Sequence, residues 1–246
     1  TKAIMPVHLT GRMCNMEKIM KISKKYKIPV VEDSAQSIMS KYNGKMSGTY
    51  GDVGCFSAHP LKNLNAMGDG GYLVTNNKKI YKKIFDLRNH GMTNRDVVKN
   101  FGYVSRMDNL QAAILNFRIK NLQKIILRRR KNAHLYLKYL GNNNNIFIPK
   151  EKKKEFNTYH TFVIQVKNRD KLKTYLKKKG IDTSIHYPVP IHKQPAYNKI
   201  FKKKMKYKNV DEQSKNILTL PIHQYLKKKE IIFISNTIIK FYEAKK

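Results

Sequence analysis

One lysine, Lys62, differs from the other basic residues of the chain in its surroundings. It lies in the stretch SAHPLKNLNAMGDGG, residues 57–71, between a proline turn and a cluster of glycines. Many other lysines occur in runs, as solvated faces do, for example at 152–154, 177–179, 202–204 and 227–229. Glycine lets the backbone pass close to a bulky group. The pattern therefore indicates a lysine whose amine meets a ligand rather than water.

An amine in a desolvated pocket loses proton affinity and becomes a nucleophile toward carbonyls, with which it forms a Schiff base. If the carbonyl belongs to pyridoxal phosphate, a carboxylate must keep the pyridine nitrogen protonated. Asp33, at the carboxyl end of the apolar strand candidate IPVVED, is placed to do this, and Ser57 could donate its hydroxyl to the phosphate. In isolation such an Asp is as often a cap or turn residue, and such a Ser is usually a turn residue. The combination, in this order, favours the chemistry.

Strands and helices alternate through the first part of the chain. The apolar runs predict strands at 3–9, 28–33, 53–57 and 71–75, with helices beginning after Asn15 and after Asn76 or Asn77, the second closed by Gly91. This alternation predicts a mostly parallel sheet with ligand chemistry at the carboxyl ends of its strands.

The second part of the chain has a different pattern. Residues 107–140 predict a long packing helix with at most one bend, and 141–145 form a connector. Beyond it the pattern predicts a strand, a helix, a strand and a last helix, at 159–166, 170–179, 181–187 and 228–242. The prediction is therefore a large-domain portion at 1–144 and a small α/β domain at 145–246.

Composition limits the functional classes. The chain has 51 Lys and Arg against 16 Asp and Glu, a net charge of +35, which raises nucleic acid as an alternative partner. The lysines are scattered, without interleaved aromatics or a recognisable binding motif. Two cysteines exclude a disulfide framework and a zinc spacing, and they indicate a reducing cytoplasm. No apolar run reaches the roughly 18 residues of a membrane span, and no signal-peptide layout is visible.

Several motifs resemble the DegT/DnrJ/StrS family of aminotransferases, which use pyridoxal phosphate to aminate keto-sugars carried on nucleoside diphosphates. The motifs are PVHLTGRMCNMEKI, PVVEDSAQS, GDVGCFSAHPLKNLNAMGDGGYLVT, LRNHG and GYVSRMDNLQAAIL, and HTFVIQV, GIDTSIHYPVPIHKQPAY and ILTLPIHQ resemble the small domain. The resemblance implies aminotransferase fold type I, with part of a mostly parallel large domain and a small C-terminal α/β domain. It also implies a cytoplasmic homodimer of amino-sugar or surface-polysaccharide biosynthesis, with an amino-acid donor, usually glutamate.

The resemblance assigns roles to four residues at the cofactor. It implies that Lys62 is the Schiff-base lysine and the proton shuttle, and that Asp33 pairs with the pyridinium nitrogen. Gln36 would lie against the ring or its 3-hydroxyl, and Ser57 would contact the phosphate. Without the resemblance, Gln36 would be interpreted as a polar loop residue. No metal is expected.

For the substrate, the resemblance places Tyr187 and His192, in HYPVPIH, near the sugar nucleotide. Without it, both would be interpreted as half-buried packing residues. The form KNLNAMGDGG is more similar to members that act at a 3-keto carbon, which favours a 3-keto-6-deoxyhexose over amination at C4.

The sequence departs from the family pattern in three ways. Val104 stands where an Asn commonly reaches the phosphate of the neighbouring subunit, and Ala58 stands where an aromatic is usual beside the lysine. Family members also have a long segment before the PVHL strand, with the phosphate-binding loop and the aromatic that stacks on the cofactor. The expectation is that these 246 residues form the C-terminal part of such an enzyme and bind cofactor weakly alone. A non-catalytic or regulatory relative is the alternative, and the pair Lys62 and Asp33 counts against it.

Overall fold

The structure, a computed structural model, describes residues 1–201 and 205–244, so the lysine run at 202–204 lies outside the described residues. The chain divides into two compact units. The first consists of 1–127 and 151–160, and the second of 128–150 and 161–246. The division at 144 and 145 inferred from the sequence remains a prediction about domains.

The first unit is an α/β arrangement. Its elements in chain order are α1 (Met16–Tyr26), β1 (Val31–Asp33), β2 (Lys41–Tyr42), β3 (Lys45–Met46), β4 (Val53–Ser57), β5 (Gly71–Val74), α2 (Lys78–Leu87) and α3 (Asn109–Ile119). Helix α4 (Leu122–Leu140) begins in this unit and ends in the second. A strand that comes later in the chain, β7 (Glu155–Phe156), pairs with β2, which also pairs with β3.

The sheet that carries the predicted chemistry has the order β1-β4-β5. Strands β1 and β4 are parallel, with Asp33 opposite Cys55, and β5 runs antiparallel to β4. The predicted strand at 3–9 is reduced to two parallel bridges, Ile4 to Val30 and Val7 to Asp33. A 3-10 turn at Leu9–Gly11 follows, because Thr10 has a left-handed φ of 65° that extended backbone does not have. The parallel strands β1 and β4 bring their carboxyl ends to one edge.

Side-chain caps fix where two of the helices begin. The Asn15 side chain accepts a hydrogen bond from the N–H of Lys18 at the start of α1, and the Asn77 side chain accepts from two backbone amides at the start of α2. The long predicted helix is two helices, α3 and α4, separated at 120–121, which agrees with a single bend.

The second unit contains a sheet of order β6-β8-β9, made of β6 (Ile146–Phe147), β8 (Phe162–Val166) and β9 (Ile217–Leu220). Its helices after α4 are α5 (Arg169–Lys178), α6 (Pro195–Ile200), α7 (Lys208–Asn216) and α8 (Lys228–Glu243). The predicted strand at 181–187 is wrong, since only Ser184 pairs, with Thr219. Prolines at 188 and 190 cannot donate to a ladder, so the bridge from Ser184 to β9 is not extended into a strand.

In the part of the chain that the structure describes, no helix is long and apolar enough to cross a membrane.

Candidate active site

Two polar side chains lie at the carboxyl edge of the β1-β4 pair. Asp33 is the last residue of β1, and its Oδ1 accepts the N–H of Ala35 at 3.0 Å. Ser57 is the last residue of β4, two residues beyond the partner of Asp33, and its Oγ accepts the N–H of His59 at 3.3 Å. Because the sheet holds the backbone at the ends of both strands, the Cα positions of Asp33 and Ser57 are fixed relative to each other.

Lys62 lies in a loop that leaves β4 and returns to β5. The N–H of Ala58 donates to the carbonyl of Gly70 at 2.8 Å, and the N–H of Ala66 donates back to the carbonyl of Ala58 at 2.8 Å. A turn holds the lysine itself, because its N–H donates to the carbonyl of His59 at 2.9 Å. Ala58 is fully buried in an apolar cluster with Ala66, so this position contributes to the core beneath the loop.

Two effects of opposite sign act on the pKa of Lys62, its burial and the charge of Asp33. Burial lowers the pKa of the Lys62 amine, and the Asp33 carboxylate partly offsets this by raising it. Burial and the same carboxylate raise the pKa of the Cys55 thiol. The amine is therefore closer to its neutral, nucleophilic form than an exposed lysine, and the negative charge nearby is that of Asp33.

Helix α3 supports the lysine loop through side chains that the sequence reasoning did not single out. The Oε1 of Gln111 accepts the N–H of Met67 at 2.9 Å. Arg118 donates to both the backbone carbonyl and the side-chain oxygen of Asn65. Gln111 lies in the motif GYVSRMDNLQAAIL, and Arg118 lies just after it. The two polar residues are seven positions apart, which is two helical turns, so they lie on the same face of the helix. This spacing is the sequence signal for a helix face turned toward the loop.

Gln36 follows β1 and is oriented by a backbone amide. Its Oε1 accepts the N–H of Thr10 at 2.7 Å, the residue with left-handed backbone in the 3-10 turn. This bond places the oxygen of the side-chain amide toward the turn, so the Nε2 group, which donates, points away from the turn.

Behind β1, on the face opposite to Asp33, Glu32 is completely buried and fully bonded. Its Oε1 accepts the N–H groups of Tyr50 at 2.6 Å and Gly51 at 2.7 Å. Its Oε2 accepts the N–H of Gly48 at 2.9 Å and the Nε2–H of the equally buried His8 at 2.9 Å. The sequence showed two adjacent carboxylates, and the alternation of side chains along a strand separates them into different environments.

The Glu32 and His8 pair is ionised on the Glu32 side. Burial raises the pKa of Glu32, but hydrogen bonds from His8, Gly51 and Gly48 lower it by more. Burial lowers the pKa of His8, whereas Cys14 and Glu32 raise it above its ordinary value overall. The raised pKa alone favours the charged ring, but the N–H of Cys14 donates to Nδ1 at 3.2 Å and can do so only when that nitrogen carries no proton. We therefore assign the neutral form with its proton on Nε2.

The two residues expected near the sugar nucleotide lie in the second unit. Tyr187 is 56% exposed and packs edge-on against His186. His192 is buried, its Nε2 is 2.9 Å from Oδ1 of Asp211, and its ring packs against Tyr207 with the centroids 4.9 Å apart. The structure thus gives His192 partners inside its own unit. A substrate contact of either residue stays a prediction.

The carboxyl-edge site, with a desolvated lysine, a carboxylate, a hydroxyl and an oriented amide on an α/β scaffold, defines the chain as a fold type I protein equipped for pyridoxal phosphate. The family model for the DegT/DnrJ/EryC1/StrS aminotransferase family matches residues 1–239. The chain belongs to this family.

Three known proteins illustrate the similarity. A dTDP-3-amino-3,6-dideoxy-alpha-D-galactopyranose transaminase of Aneurinibacillus thermoaerophilus is 40% identical over 94% of this chain and 63% of its own length. A pleiotropic regulatory protein of Geobacillus stearothermophilus is 37% identical over 98% of this chain and 66% of its own length. The crystal structure of S. venezuelae DesV in complex with a ketimine intermediate is 31% identical, superposes with a TM-score of 0.94, and is covered to 65% by 98% of this chain.

The residues present fit the cofactor that aminotransferases of this family use, pyridoxal phosphate. Lys62 carries a half-buried amine, Asp33 carries a carboxylate at the end of β1, and Ser57 carries a hydroxyl at the end of β4, which are the groups that such a cofactor requires. Within the described residues, no group of three or more His, Cys, Asp or Glu side chains is arranged to hold a metal ion.

Proposed function

We propose that the protein to which this chain belongs transfers an amino group from an amino acid to a keto-sugar carried on a nucleoside diphosphate. The observation that carries the proposal is the half-buried Lys62 amine, whose pKa is lowered by burial and influenced by Asp33. When bound, pyridoxal phosphate supplies an electron sink that makes the proton on the carbon next to nitrogen removable.

The side chains divide the work. Lys62 would hold the cofactor through its amine and would carry the proton at the reacting carbon, for which a lowered amine pKa is suited. Asp33, fixed by the strand and by the N–H of Ala35, keeps the pyridine nitrogen protonated. Ser57 binds the phosphate, and Gln36, oriented by Thr10, donates to the ring or its 3-hydroxyl. Tyr187 and His192 are proposed to contact the sugar nucleotide.

The substrate is proposed to be a 3-keto-6-deoxyhexose nucleotide, with glutamate as donor, in cytoplasmic amino-sugar or surface-polysaccharide biosynthesis. The motif KNLNAMGDGG supports amination at C3, and the 40% identical relative is named for a 3-amino-3,6-dideoxy sugar. Incubating the protein with glutamate and a dTDP-3-keto-6-deoxyhexose should give an aminated nucleotide sugar, detectable by mass spectrometry. A product from the 4-keto isomer alone would contradict the C3 assignment.

The chain spans about two thirds of the length of the curated relatives it matches, so these activities are proposals for the whole protein. We also propose that it works as a homodimer. Phe101 is fully exposed, and Val104, Leu110 and Phe117 are each about two thirds exposed or more, which is an unusual amount of apolar surface for one region of a monomer. Sedimentation equilibrium would test the dimer.

The decisive experiment compares the chain with Lys62→Ala and with Lys21→Ala, which removes an exposed lysine of α1. Each protein is mixed with pyridoxal phosphate, its absorbance is recorded, and borohydride reduction with peptide mapping identifies the modified lysine. This mapping is necessary because the 42 lysines of the chain offer many adventitious amines. We expect one dominant modified site, Lys62, in the parent and in Lys21→Ala.

Equal labelling of many lysines in the parent and in Lys62→Ala would contradict the proposal. If none of the three proteins gains an absorbance band on mixing with pyridoxal phosphate, these 246 residues do not suffice, and the same two variants would then be compared in a chain extended at its N-terminus. The non-catalytic alternative is not favoured, although one relative is named as a regulatory protein, because such a protein has no use for a desolvated lysine beside Asp33.

A further inference from the structure

The buried carboxylate of Glu32 has no part in the chemistry proposed above, although it is next to Asp33 in the chain. It accepts four hydrogen bonds, three from backbone amides of the 48–51 turn and one from His8. An ionised carboxylate is costly to bury, and this one is retained with all its acceptor capacity in use.

Glu32 is connected to Asp33 through the segment that carries His8. The N–H of Asp33 donates to the carbonyl of Pro6 at 2.9 Å, and the N–H of His8 donates to the carbonyl of Asp33 at 3.0 Å. Both backbone groups of Asp33 are therefore held by residues 6–8. That segment forms only isolated bridges, so the His8 side chain bonded to Glu32 is its main side-chain anchor to β1.

The same segment also reaches Gln36. Two residues after His8, Thr10 donates its N–H to Oε1 of Gln36 at 2.7 Å. The N–H of Cys14 donates to Nδ1 of His8 at 3.2 Å, which anchors the far side of the turn. His8, bonded to Glu32, therefore lies in the segment that holds the backbone of Asp33 and precedes by two residues the Thr10 amide that orients Gln36.

We propose that Glu32 is a positioning residue for the cofactor site, which holds Asp33 and Gln36 in place through His8 and the 6–10 segment. This inference rests on the proposed function for the identity of the bound group. A role in stability alone would lower the folded fraction and leave the site of the folded molecules unchanged. A positioning role changes the site within the folded protein.

The test variant is Glu32→Gln, which keeps the shape of the side chain. One oxygen remains for the amides of Tyr50 and Gly51, but the new NH₂ group faces the N–H of Gly48 and the Nε2–H of His8. The matched control is Glu17→Gln, since Glu17 pairs with Lys154 on the exposed surface.

The first readout needs no cofactor. Amide hydrogen exchange is measured well below the unfolding midpoint, where the folded state dominates. In Glu32→Gln we expect protection of the Thr10 amide to fall about tenfold or more, the loss of one charge-assisted anchor. The Lys18 amide, bonded to the Asn15 side chain in α1, should be unchanged. Equal protection at Thr10 in parent and variant, or a uniform loss at both amides, would overturn the proposal.

The second readout is the apparent dissociation constant of pyridoxal phosphate at Lys62. It should rise about tenfold or more in Glu32→Gln and stay unchanged in Glu17→Gln. Glu32→Asp, which keeps the charge, should recover part of the affinity, and it replaces Glu32→Gln if that variant does not fold. An unchanged constant in folded Glu32 variants overturns the positioning role alone, whereas a parent that never binds cofactor at Lys62 overturns the proposed function as well.

Discussion

The substitution Gly54→Ala should destabilise the strand that ends in Ser57 far more than an ordinary glycine substitution. A Cβ at position 54 would lie closer to the Cα and carbonyl oxygen of Gly48 than real Cβ atoms approach backbone. Strand and turn must therefore separate, which costs about 1–3 kcal/mol as overpacking. The same movement breaks the bond from the N–H of Gly48 to Glu32, worth about 1.5–3 kcal/mol for a charged acceptor.

The expected total for Gly54→Ala is about 3–5 kcal/mol, or a fall in melting midpoint of roughly 10 °C for a protein of this size. Thermal unfolding followed by circular dichroism would measure it. Gly44→Ala is the control, because Gly44 has a left-handed φ of +78° but no atom within 4 Å of its added Cβ, so only a strain of about 1 kcal/mol is expected. Equal midpoints for the two variants would refute the close-approach argument.

Two further substitutions test the electrostatics and the second unit. Lys62→Met should be more stable than the parent at pH 7, because burial lowers the pKa of Lys62 below 10.5 and charging the amine in the folded state costs stability. This advantage should shrink as the pH rises from the lowered pKa toward 10.5, and a constant difference in urea midpoint up to that pH would contradict it. Tyr136→Phe should lower the free energy of unfolding by about 1 kcal/mol, because the buried hydroxyl donates to the carbonyl of Pro221 at 3.0 Å. Urea unfolding measures this, and a variant as stable as the parent would contradict a stabilising role of that bond.

The sequence predicts the elements whose signals are local. Asparagine caps at Asn15 and Asn77 begin their helices where predicted, because a capping side chain bonds only to the next few amides. The wrong strand at 181–187 shows the limit, since its apolar and β-branched residues satisfy a strand pattern while pairing depends on β9, more than thirty residues later. A short stretch of sequence does not show whether a distant segment will pair with it.

The candidate site shows the same division. The order of Asp33, Ser57 and Lys62 along the chain predicts their chemistry, since Asp33 and Ser57 end recognisable strands and Lys62 follows the second of them. The residues that position them, such as Glu32 and Gln111, act through bonds to backbone amides elsewhere in the fold. A backbone amide is the same at every residue, so no residue type in the sequence identifies the partner.

The exposed apolar residues of β5 and of α2 affect how the protein behaves in solution. Among the described residues, β5 pairs only with β4, Leu73 is 45% exposed, and α2, with Tyr81 60% exposed, has no buried residue. Such an edge invites pairing between molecules, but a net charge of +35 keeps them apart at low salt. Raising the ionic strength from about 0.1 M to 1 M shortens the screening length from about 10 Å to 3 Å. We therefore expect added salt to promote association of molecules at this edge, beyond the proposed homodimer.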